Sequence, residues 1–388
     1  MKLTKRLMVL VIIIAGLFFL KGNITGFSIM DVKNIDLNIG MPDIDIKDIG
    51  NNIVNKEVQS KVVQENFDTP LIYFCPRFNC SAVMVDLITN AKKSIHCALF
   101  DLDLYEIIEA LDEKHNTINN NGIGNNEKID IKIVVDNDNV EEIEKSYGKD
   151  LSFDEDGFVK IDNSNQLTHN KFCIVDGKYI TTGSFNPTIN GNIKNNNNLV
   201  VVQSYYLAEN YEEEFEELWN GYFGRSNKNK QTKVKYNRIE SNKGTNDEIV
   251  IENLFCPDDR CEEKVIEILD NVEDNVKFMI FSFTSDPIGD KLIELHNNGI
   301  EVEGVVEKKQ NTNKYSEYTK LLEAGVNIMY DNNKYNMHHK TFIVDDNIVI
   351  TGSYNPTASG TEKNDENILI IYSDDVANKY LEEYVLIN

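Results

Sequence analysis

The sequence contains one motif twice, first as His169-Asn-Lys-Phe-Cys-Ile-Val-Asp176 and again as His338-His-Lys-Thr-Phe-Ile-Val-Asp345. Each copy is followed at the same spacing by a Gly-Ser pair and an asparagine, in Gly183-Ser-Phe-Asn186 and Gly352-Ser-Tyr-Asn355. A single His-x-Lys-x-x-x-x-Asp match is weak evidence, because three residue types at fixed offsets occur by chance in long chains. Two copies with matching continuations indicate that each half of the chain supplies half of one site.

The repetition extends over most of the chain. Cys75-Pro-Arg-Phe-Asn-Cys80 corresponds to Cys256-Pro-Asp-Asp-Arg-Cys261, and each is followed by an amphipathic helix pattern, an apolar strand and a second helix. Strands that alternate with helices indicate crossover units. We therefore predict an α/β fold of two pseudo-symmetric α-β-α sandwich domains, each with a mostly parallel mixed sheet. The active site is expected at the interface of the two domains.

The repeats and the segments around them divide the chain into five parts. We expect a signal-anchor or signal peptide, a stalk, a first repeat, a basic linker and a second repeat, at residues 1–22, 23–70, 71–224, 225–248 and 249–388. The stalk lacks a sustained hydrophobic period and is not expected to join the core. The linker concentrates Lys and Arg, which fits either a solvated connector or a basic strip that contacts an anionic substrate or membrane.

The N-terminus has the pattern of an export signal. Lys2, Lys5 and Arg6 precede an uncharged apolar run that ends at Lys21. Its length suits a signal-peptide core, but the small-x-small cleavage pattern is missing, which favours an uncleaved signal-anchor. Because basic residues stay inside, the remainder is expected outside the cytoplasm, anchored to the membrane, or secreted if the segment is cleaved.

The charge of the chain bears on its partners. The formal net charge is −25, which repels polyanions at long range unless the site is locally basic. This charge disfavours a nucleic-acid partner without excluding one.

Six cysteines form two groups. The Cys-Pro-x-x-x-Cys pairs lie at equivalent places in the repeats, and in an exported protein they predict two local disulfides, Cys75–Cys80 and Cys256–Cys261. A four-thiolate zinc site shared by the repeats is the alternative. Cys97 and Cys173 align with Phe278 and Phe342 of the second repeat, so we interpret them as small core residues.

The motif residues can perform phosphoryl chemistry. His and Lys two residues apart on a strand project from one face, so packing of the repeats brings together His169, Lys171, His338 and Lys340. The two Lys cations and the amides of Asn186 and Asn355 would surround a phosphodiester and stabilise a five-coordinate transition state without a metal. One imidazole attacks phosphorus, and the other protonates the leaving alkoxide and later activates water.

These repeats resemble the phospholipase D superfamily from about Leu71 to Asn388. The resemblance implies a paired His/Lys site, usually without metal or cofactor, that acts on phospholipids, nucleic acids or related diesters. It also implies a monomer with an internal pseudo-dimer. Mapped onto this sequence, it assigns catalysis to the His/Lys pairs, substrate binding to Asn186 and Asn355, and a supporting place near the substrate to Ser184 and Ser353.

One departure from the family pattern suggests different roles for the histidines. The superfamily often has an acidic residue downstream that hydrogen-bonds the histidine; the second repeat has Glu366 there and the first has Asn197. A carboxylate favours imidazolium, whereas an amide oxygen holds a neutral tautomer. Interpreted within each repeat, this makes His169 the nucleophile and His338 the general acid. The alternative is that Asn197 marks a weakened first half.

The resulting functional hypothesis is a phosphodiesterase, with phospholipid headgroup hydrolysis as the favoured reaction. An extracytoplasmic endonuclease, a phosphatidyltransferase similar to cardiolipin synthase, and a non-catalytic binding protein are the alternatives. Asp176 and Asp345 have opposite strand parity to the histidines and are interpreted as structural. His339 is expected to face away from the pair.

Overall fold

The computed structural model describes residues 61–120, 129–147, 158–162, 164–224 and 234–388. The predicted signal-anchor, the stalk up to residue 60 and residues 225–233 of the predicted linker lie outside the described residues. Within the described ranges, no helix combines the length and apolar character that a membrane span needs.

The first repeat forms a seven-stranded sheet. Its elements follow β1 (Val62–Gln64) and are the strands β2 (Leu71–Cys75), β3 (Ser94–Leu99), β4 (Asp130–Asp136), β5 (Val159–Asp162), β6 (Lys171–Val175), β7 (Tyr179–Gly183) and β8 (Asn197–Gln203). The helices are α1 (Cys80–Asn90), α2 (Tyr105–Asn120), α3 (Val140–Tyr147), α4 (Ile189–Ile193) and α5 (Tyr205–Trp219). The strand order is β2-β8-β7-β6-β3-β4-β5.

The second repeat belongs to a nine-stranded sheet. Its strands are β9 (Arg238–Ser241), β10 (Ile249–Cys256), β11 (Asn275–Ile280), β12 (Glu301–Val306), β13 (Asn327–Tyr330), β14 (Lys340–Val344), β15 (Ile348–Gly352) and β16 (Glu366–Tyr372). The helices are α6 (Cys261–Leu269), α7 (Asp286–Asn297), α8 (Glu317–Glu323), α9 (Ala358–Glu362) and α10 (Asp374–Ile387). The order is β1-β9-β10-β16-β15-β14-β11-β12-β13.

The α/β class and the two-sheet arrangement are confirmed, but the prediction of mostly parallel sheets is wrong. Strands β3, β4 and β5 pair in parallel, as do β11, β12 and β13, because helices connect them. The motif strand instead returns through a tight turn, so β6, β7 and β8 pair antiparallel, and so do β14, β15 and β16. A short turn can join only antiparallel neighbours.

The described ends of the predicted stalk and linker join the fold instead of lying in solvent. Strand β1 pairs in parallel with β9, which extends the second sheet through β10. Phe67 and Ile239 are 5% and 1% exposed and belong to the central core. Arg238 pairs with Glu240 and Glu252 of the same chain. Residues 234–241 of the linker are therefore packed into the fold, whereas residues 242–246 are exposed to solvent.

A central core contains residues of both repeats. It lies among the inner faces of the two sheets and the helices α5 and α10. Phe172 of the first sheet contacts Tyr211 of α5 at 5.0 Å between ring centroids, and Tyr211 contacts Phe255 of the second sheet at 5.0 Å. Each such buried aromatic side chain stabilises the fold by about 2–3 kcal/mol. The repeats are thus joined by shared apolar burial, and this holds their facing strands in register.

All six cysteines are paired. The predicted Cys75–Cys80 and Cys256–Cys261 disulfides are present, with Cα–Cα distances of 6.1 and 5.7 Å, so the zinc alternative has no free thiolates. A third disulfide, Cys97–Cys173, was not predicted. These two residues face each other on the paired strands β3 and β6 with Cα atoms 4.1 Å apart. Both are buried core residues, as interpreted, at 1% exposed. Their disulfide was missed because alignment with phenylalanines could not show the strand register.

Candidate active site

The start of each motif is hydrogen-bonded across the interface between the repeats. The backbone N–H of His169 donates to the carbonyl of Asp365 at 2.9 Å, and that of His338 donates to the carbonyl of Asn196 at 2.8 Å. Each histidine backbone is therefore fixed by the other repeat. The predicted convergence of the two motifs in one site is what the structure shows.

The lysines lie on the same face as their histidines. Lys171 Nζ donates to the His169 carbonyl at 2.7 Å, and Lys340 Nζ donates to the His338 carbonyl at 2.8 Å. All four side chains are buried, with exposed fractions of 8% for each histidine and 2–3% for the lysines. Each ammonium group keeps two further N–H donors for an anion.

The residues that hold the histidines cross between the repeats. His169 Nδ1 lies 2.7 Å from Glu366 Oε2, and His338 Nδ1 lies 2.8 Å from Asn197 Oδ1. Our premise that Glu366 serves the histidine of its own repeat is wrong. The sequence could not show this, because strands β8 and β16 each begin at the interface, and the first residue of each contacts the histidine of the other repeat.

Ser184 and Ser353 fix these partners. Ser353 Oγ donates to Glu366 Oε2 at 2.8 Å, and Ser184 Oγ donates to Asn197 Oδ1 at 3.2 Å. Both serines are 0% exposed. Both serines lie behind the side chains that orient the histidines, which is the supporting place that the resemblance implies for them.

The glycines before these serines permit a close approach of strands. Gly183 has φ +127° and a Cβ there would lie 2.5 Å from the Asn198 carbonyl oxygen. Gly352 has φ +143° and a Cβ would lie 2.2 Å from the Asn367 carbonyl oxygen. Only glycine fits both the dihedral angle and the space. This explains why the Gly-Ser pair recurs with each motif.

Asn186 and Asn355 remain candidates for substrate binding. Each side chain is partly exposed, and its Oδ1 is buried without a hydrogen-bond partner among the described residues. A buried amide without a partner costs stability and suggests a ligand at that position. The atom without a partner is an acceptor, and a half-turn of the amide group would place the donor Nδ2 at the same buried position, from which a phosphate oxygen would accept.

Sequence reasoning missed two aromatic residues of the site. Phe100 contacts the His169 ring with centroids 4.9 Å apart, and Lys171 Nζ lies 5.1 Å from the Phe100 centroid. Phe281 repeats this arrangement, at 4.5 Å from His338 and 4.8 Å from Lys340. They occupy equivalent positions just after β3 and β11, and this equivalence is the signal that could have found them. They restrict the rotation of both motif side chains.

Behind the site, two asparagines tie the repeats together. Asn367 Oδ1 accepts from Thr182 Oγ1 at 2.7 Å, and Asn367 Nδ2 donates to Asn170 Oδ1 at 2.8 Å. Asn198 Nδ2 donates to Thr351 Oγ1 and Tyr380 Oη of the second repeat. These buried networks fix the register of the two halves.

The aspartates of the motif lie away from the site. Asp176 accepts from the backbone N–H groups of Lys92 and Lys93 at 2.8 and 2.6 Å, and Asp345 accepts from those before β11. Both have positive φ, at the turn that ends each motif strand. They close the loop before the neighbouring strand, in agreement with a structural role. His339 contacts Glu383 at 3.2 Å, away from the pair.

Burial dominates the electrostatics of the site. Burial lowers the pKa of both histidines well below the ordinary value, and the neighbouring lysines lower it further. Burial also lowers the pKa of Lys171 to about 7 and raises that of Glu366 to about 8. These protein groups by themselves therefore favour neutral histidines, and an anionic substrate would favour their positively charged forms.

The Lys171 pKa gives a pH dependence. Lys171 is cationic below its pKa of about 7 and becomes neutral as the pH rises through it. We expect kcat/KM for a soluble diester to fall about tenfold per pH unit above pH 7–8, since the lost cation faces the phosphate. A profile that stays level to pH 9 would contradict a role for the Lys171 charge.

A duplicated α/β fold in which each repeat fixes the other's histidine defines a class of two-repeat enzymes with one shared site. The family model described as "Cardiolipin synthase, PLD-like domain" matches residues 84–219 and 265–385, which is more than half of the chain. The chain belongs to this phospholipase D-like family. The predicted superfamily is thus confirmed, and so is the prediction of an enzyme of the phospholipase D type.

Named relatives match over part of the chain. A mitochondrial cardiolipin hydrolase from Chlamydomonas reinhardtii is 27% identical in an alignment of 146 residues, and the match covers 31% of this chain and 66% of that protein, just under two thirds. A phospholipase D from Rickettsia conorii is 26% identical over 135 residues, which are 35% of this chain and 68% of that protein.

A solved structure shares the two-repeat fold. The phosphatidylserine synthase from Haemophilus influenzae has a TM-score of 0.57 and 14% identity, and the match covers 82% of this chain and 87% of that one. At this identity the likeness concerns the fold alone.

Proposed function

We propose that this chain is a phospholipase D-type phosphodiesterase that hydrolyses a phospholipid diester through a covalent phosphohistidine on His169. The observation that carries the proposal is the crossed pairing of Glu366 with His169 and of Asn197 with His338. This pairing gives the two histidines different environments within one site, as a two-step reaction requires.

In the first step His169 Nε2 forms a bond to phosphorus. Glu366 accepts the Nδ1–H, which leaves the Nε2 lone pair free and stabilises the positive charge that develops on the ring. The bound anionic diester favours the imidazolium form of His338, which carries a proton on each ring nitrogen. His338 gives its Nε2 proton to the leaving alkoxide as the P–O bond breaks and keeps the Nδ1–H that Asn197 accepts. Lys171, Lys340 and the two Asn amides stabilise the five-coordinate phosphorus.

In the second step water attacks the phosphohistidine. His338 accepts the proton of the water as the new P–O bond forms, and the P–N bond to His169 breaks. His338 is thereby protonated again and ready for the next substrate. The site residues alone balance these proton transfers, so the proposal includes no metal or cofactor.

The assignment of His169 as nucleophile stays a prediction, but its basis changes. We derived it from a carboxylate beside His338, and the carboxylate lies beside His169 instead. A carboxylate that orients an imidazole and supports its positive charge also suits a nucleophile that becomes cationic on phosphorylation. The Asn197 amide oxygen accepts the Nδ1–H of His338, so Nε2 is the nitrogen that loses and regains the transferred proton.

A phospholipid is the proposed substrate. The relatives reported above are named phospholipase D and cardiolipin hydrolase, and a net charge of −25 disfavours a polynucleotide. We also propose that the chain acts outside the cytoplasm, held by residues 1–22, and that it is a monomer because one chain supplies both halves of the site.

A substrate comparison in chelator tests this function. We expect the purified full chain to release headgroups from phospholipid vesicles at a rate at least about 100-fold above that of Lys171→Ala, since lysine at this position stabilises the transition-state charge. Plasmid DNA should remain intact in the same buffer. Nicking of the plasmid without headgroup release would favour the endonuclease, and headgroup exchange onto an added alcohol without hydrolysis would favour the transferase.

A further inference from the structure

We propose that a contiguous apolar and basic rim beside His338 docks the protein on an anionic phospholipid surface. This inference rests on the proposed phospholipid substrate and identifies how the site meets it. The docking rim has an apolar half and a basic half, composed of Phe78, Tyr105, Ile189 and Ile193, and of Lys194, Lys309, Lys334 and Tyr335.

The apolar half consists of large side chains held in solvent. Phe78 and Tyr105 are 50% and 56% exposed, and Ile189 and Ile193 are 49% and 60% exposed. They come from the Cys75–Cys80 loop, the start of α2 and helix α4. Exposed apolar residues that cluster at a site mark an interaction surface, whereas scattered ones need no explanation.

Hydrogen bonds bring these three segments together. Asn192 of α4 accepts from Ser81 N at 3.1 Å and donates from Nδ2 to Asn79 Oδ1 at 3.1 Å. Ser81 Oγ donates to Glu106 Oε1 at 2.8 Å, which connects the start of α2. Ile189 N donates to the Asp103 carboxylate. The apolar side chains thus stand on one rigid, cross-linked corner of the molecule.

The second repeat serves as an internal comparison. In the repeat alignment, the counterparts of Phe78, Tyr105, Ile189 and Ile193 are Asp259, Asp286, Ala358 and Glu362. The same backbone positions therefore carry acidic or small residues on the other side of the pseudo-two-fold axis. The fold does not require large apolar side chains there, so those of the first repeat serve another purpose.

The basic half adjoins α4 directly. Lys194 Nζ lies 5.5 Å from the Tyr335 ring centroid, and Asn333 Nδ2 donates to the Lys194 carbonyl at 3.1 Å. Lys309 Nζ donates to the Tyr335 carbonyl at 2.7 Å. The adjacent Lys334 is exposed. This side differs from its counterpart too, since Lys309 corresponds to Asp138 of the first repeat.

The docking rim borders the active site. Asn196 N donates to the Asn336 carbonyl at 2.9 Å, and His338 N donates to the Asn196 carbonyl at 2.8 Å. Helix α4 begins at Ile189, directly after the loop that carries Asn186. A surface bound to the rim would therefore deliver its headgroups to the proposed general acid.

The chemistry of the rim favours an anionic lipid surface. Apolar and aromatic side chains enter the interfacial region, while lysines attract acidic headgroups over a short range. With a net charge of −25 the rest of the molecule is repelled by such a surface. Attraction confined to the rim therefore orients the cleft toward the lipid. A nucleic acid would use the lysines but would leave the two isoleucines without a role.

An environment-sensitive fluorophore on Ile193→Cys tests the docking in the full chain, because the six native cysteines are all paired. Leu322→Cys is the matched control, since Leu322 is 49% exposed on the second repeat. With anionic vesicles we expect a blue-shifted emission at position 193 and unchanged emission at position 322. Equal emission changes at both positions, or no change at 193, would overturn the proposal. So would a shift induced by an oligonucleotide and not by vesicles.

Turnover of an Ile189→Ser, Ile193→Ser variant separates docking from chemistry. We expect about a tenfold loss on anionic vesicles, with turnover of a soluble diester within twofold of the parent. Label insertion at 193 in a parent that releases no headgroups would support the docking and refute the proposed substrate. Headgroup release without insertion would support the substrate and refute the docking.

Discussion

His169→Ala is expected to lower kcat/KM by about 10⁴-fold or more for every diester, because no other group can form the bond to phosphorus. His338→Ala should behave differently, because a general acid matters in proportion to the basicity of the leaving group. We expect about a 10³-fold loss for an alkyl diester and only about a tenfold loss for a nitrophenyl diester, whose anion leaves unaided. Steady-state kinetics on both substrates measure the contrast.

One outcome would contradict this assignment of roles. If the nitrophenyl substrate rescues His169→Ala instead, the two histidines exchange roles. Thermal unfolding of both variants is the control, since the two side chains are equally buried at 8% exposed and should cost similar stability.

Glu366→Gln is expected to lower kcat by about 10²–10⁴-fold while the fold persists. The amide keeps the shape of the side chain but cannot ionise, so it cannot supply the negative charge that supports His169 when His169 becomes cationic. Burial raises the pKa of Glu366 to about 8, so a neutral amide at this position should not lower the midpoint of thermal unfolding.

Asn197→Ala provides the comparison from the other repeat. It removes a neutral hydrogen bond to His338 and should cost only about tenfold, the equivalent of about 1.4 kcal/mol. Equal losses in Glu366→Gln and Asn197→Ala would show that the carboxylate has no special part in the reaction.

Much of the site could be predicted from the sequence, because a motif that occurs twice with the same continuation rarely arises by chance. Two His-x-Lys strands with the same continuation placed His169, Lys171, His338 and Lys340 in one cleft. The α/β class followed equally from alternating strand and helix patterns. Local parity also separated Asp176 from the histidines of the motif.

What sequence reasoning missed depends on contacts between distant strands. The crossed pairing of Glu366 with His169 arises from the packing of two repeats, and no local pattern encodes which repeat a strand end will face. The Cys97–Cys173 disulfide depends on the register of β3 and β6. Strand β1 has only three residues and lies in a segment without a sustained hydrophobic period, so the sequence did not predict it. Its pairing with the distant strand β9 forms it.

Chemical trapping of the covalent intermediate identifies the histidine that bonds to phosphorus. The full chain is mixed with a labelled diester, quenched within a single turnover and digested under conditions that preserve phosphoramidates, and the modified peptide is sequenced by mass spectrometry. We predict a phosphoryl group on His169, present in the parent and absent in His169→Ala. Phosphate on His338, or turnover without any labelled histidine, would contradict it.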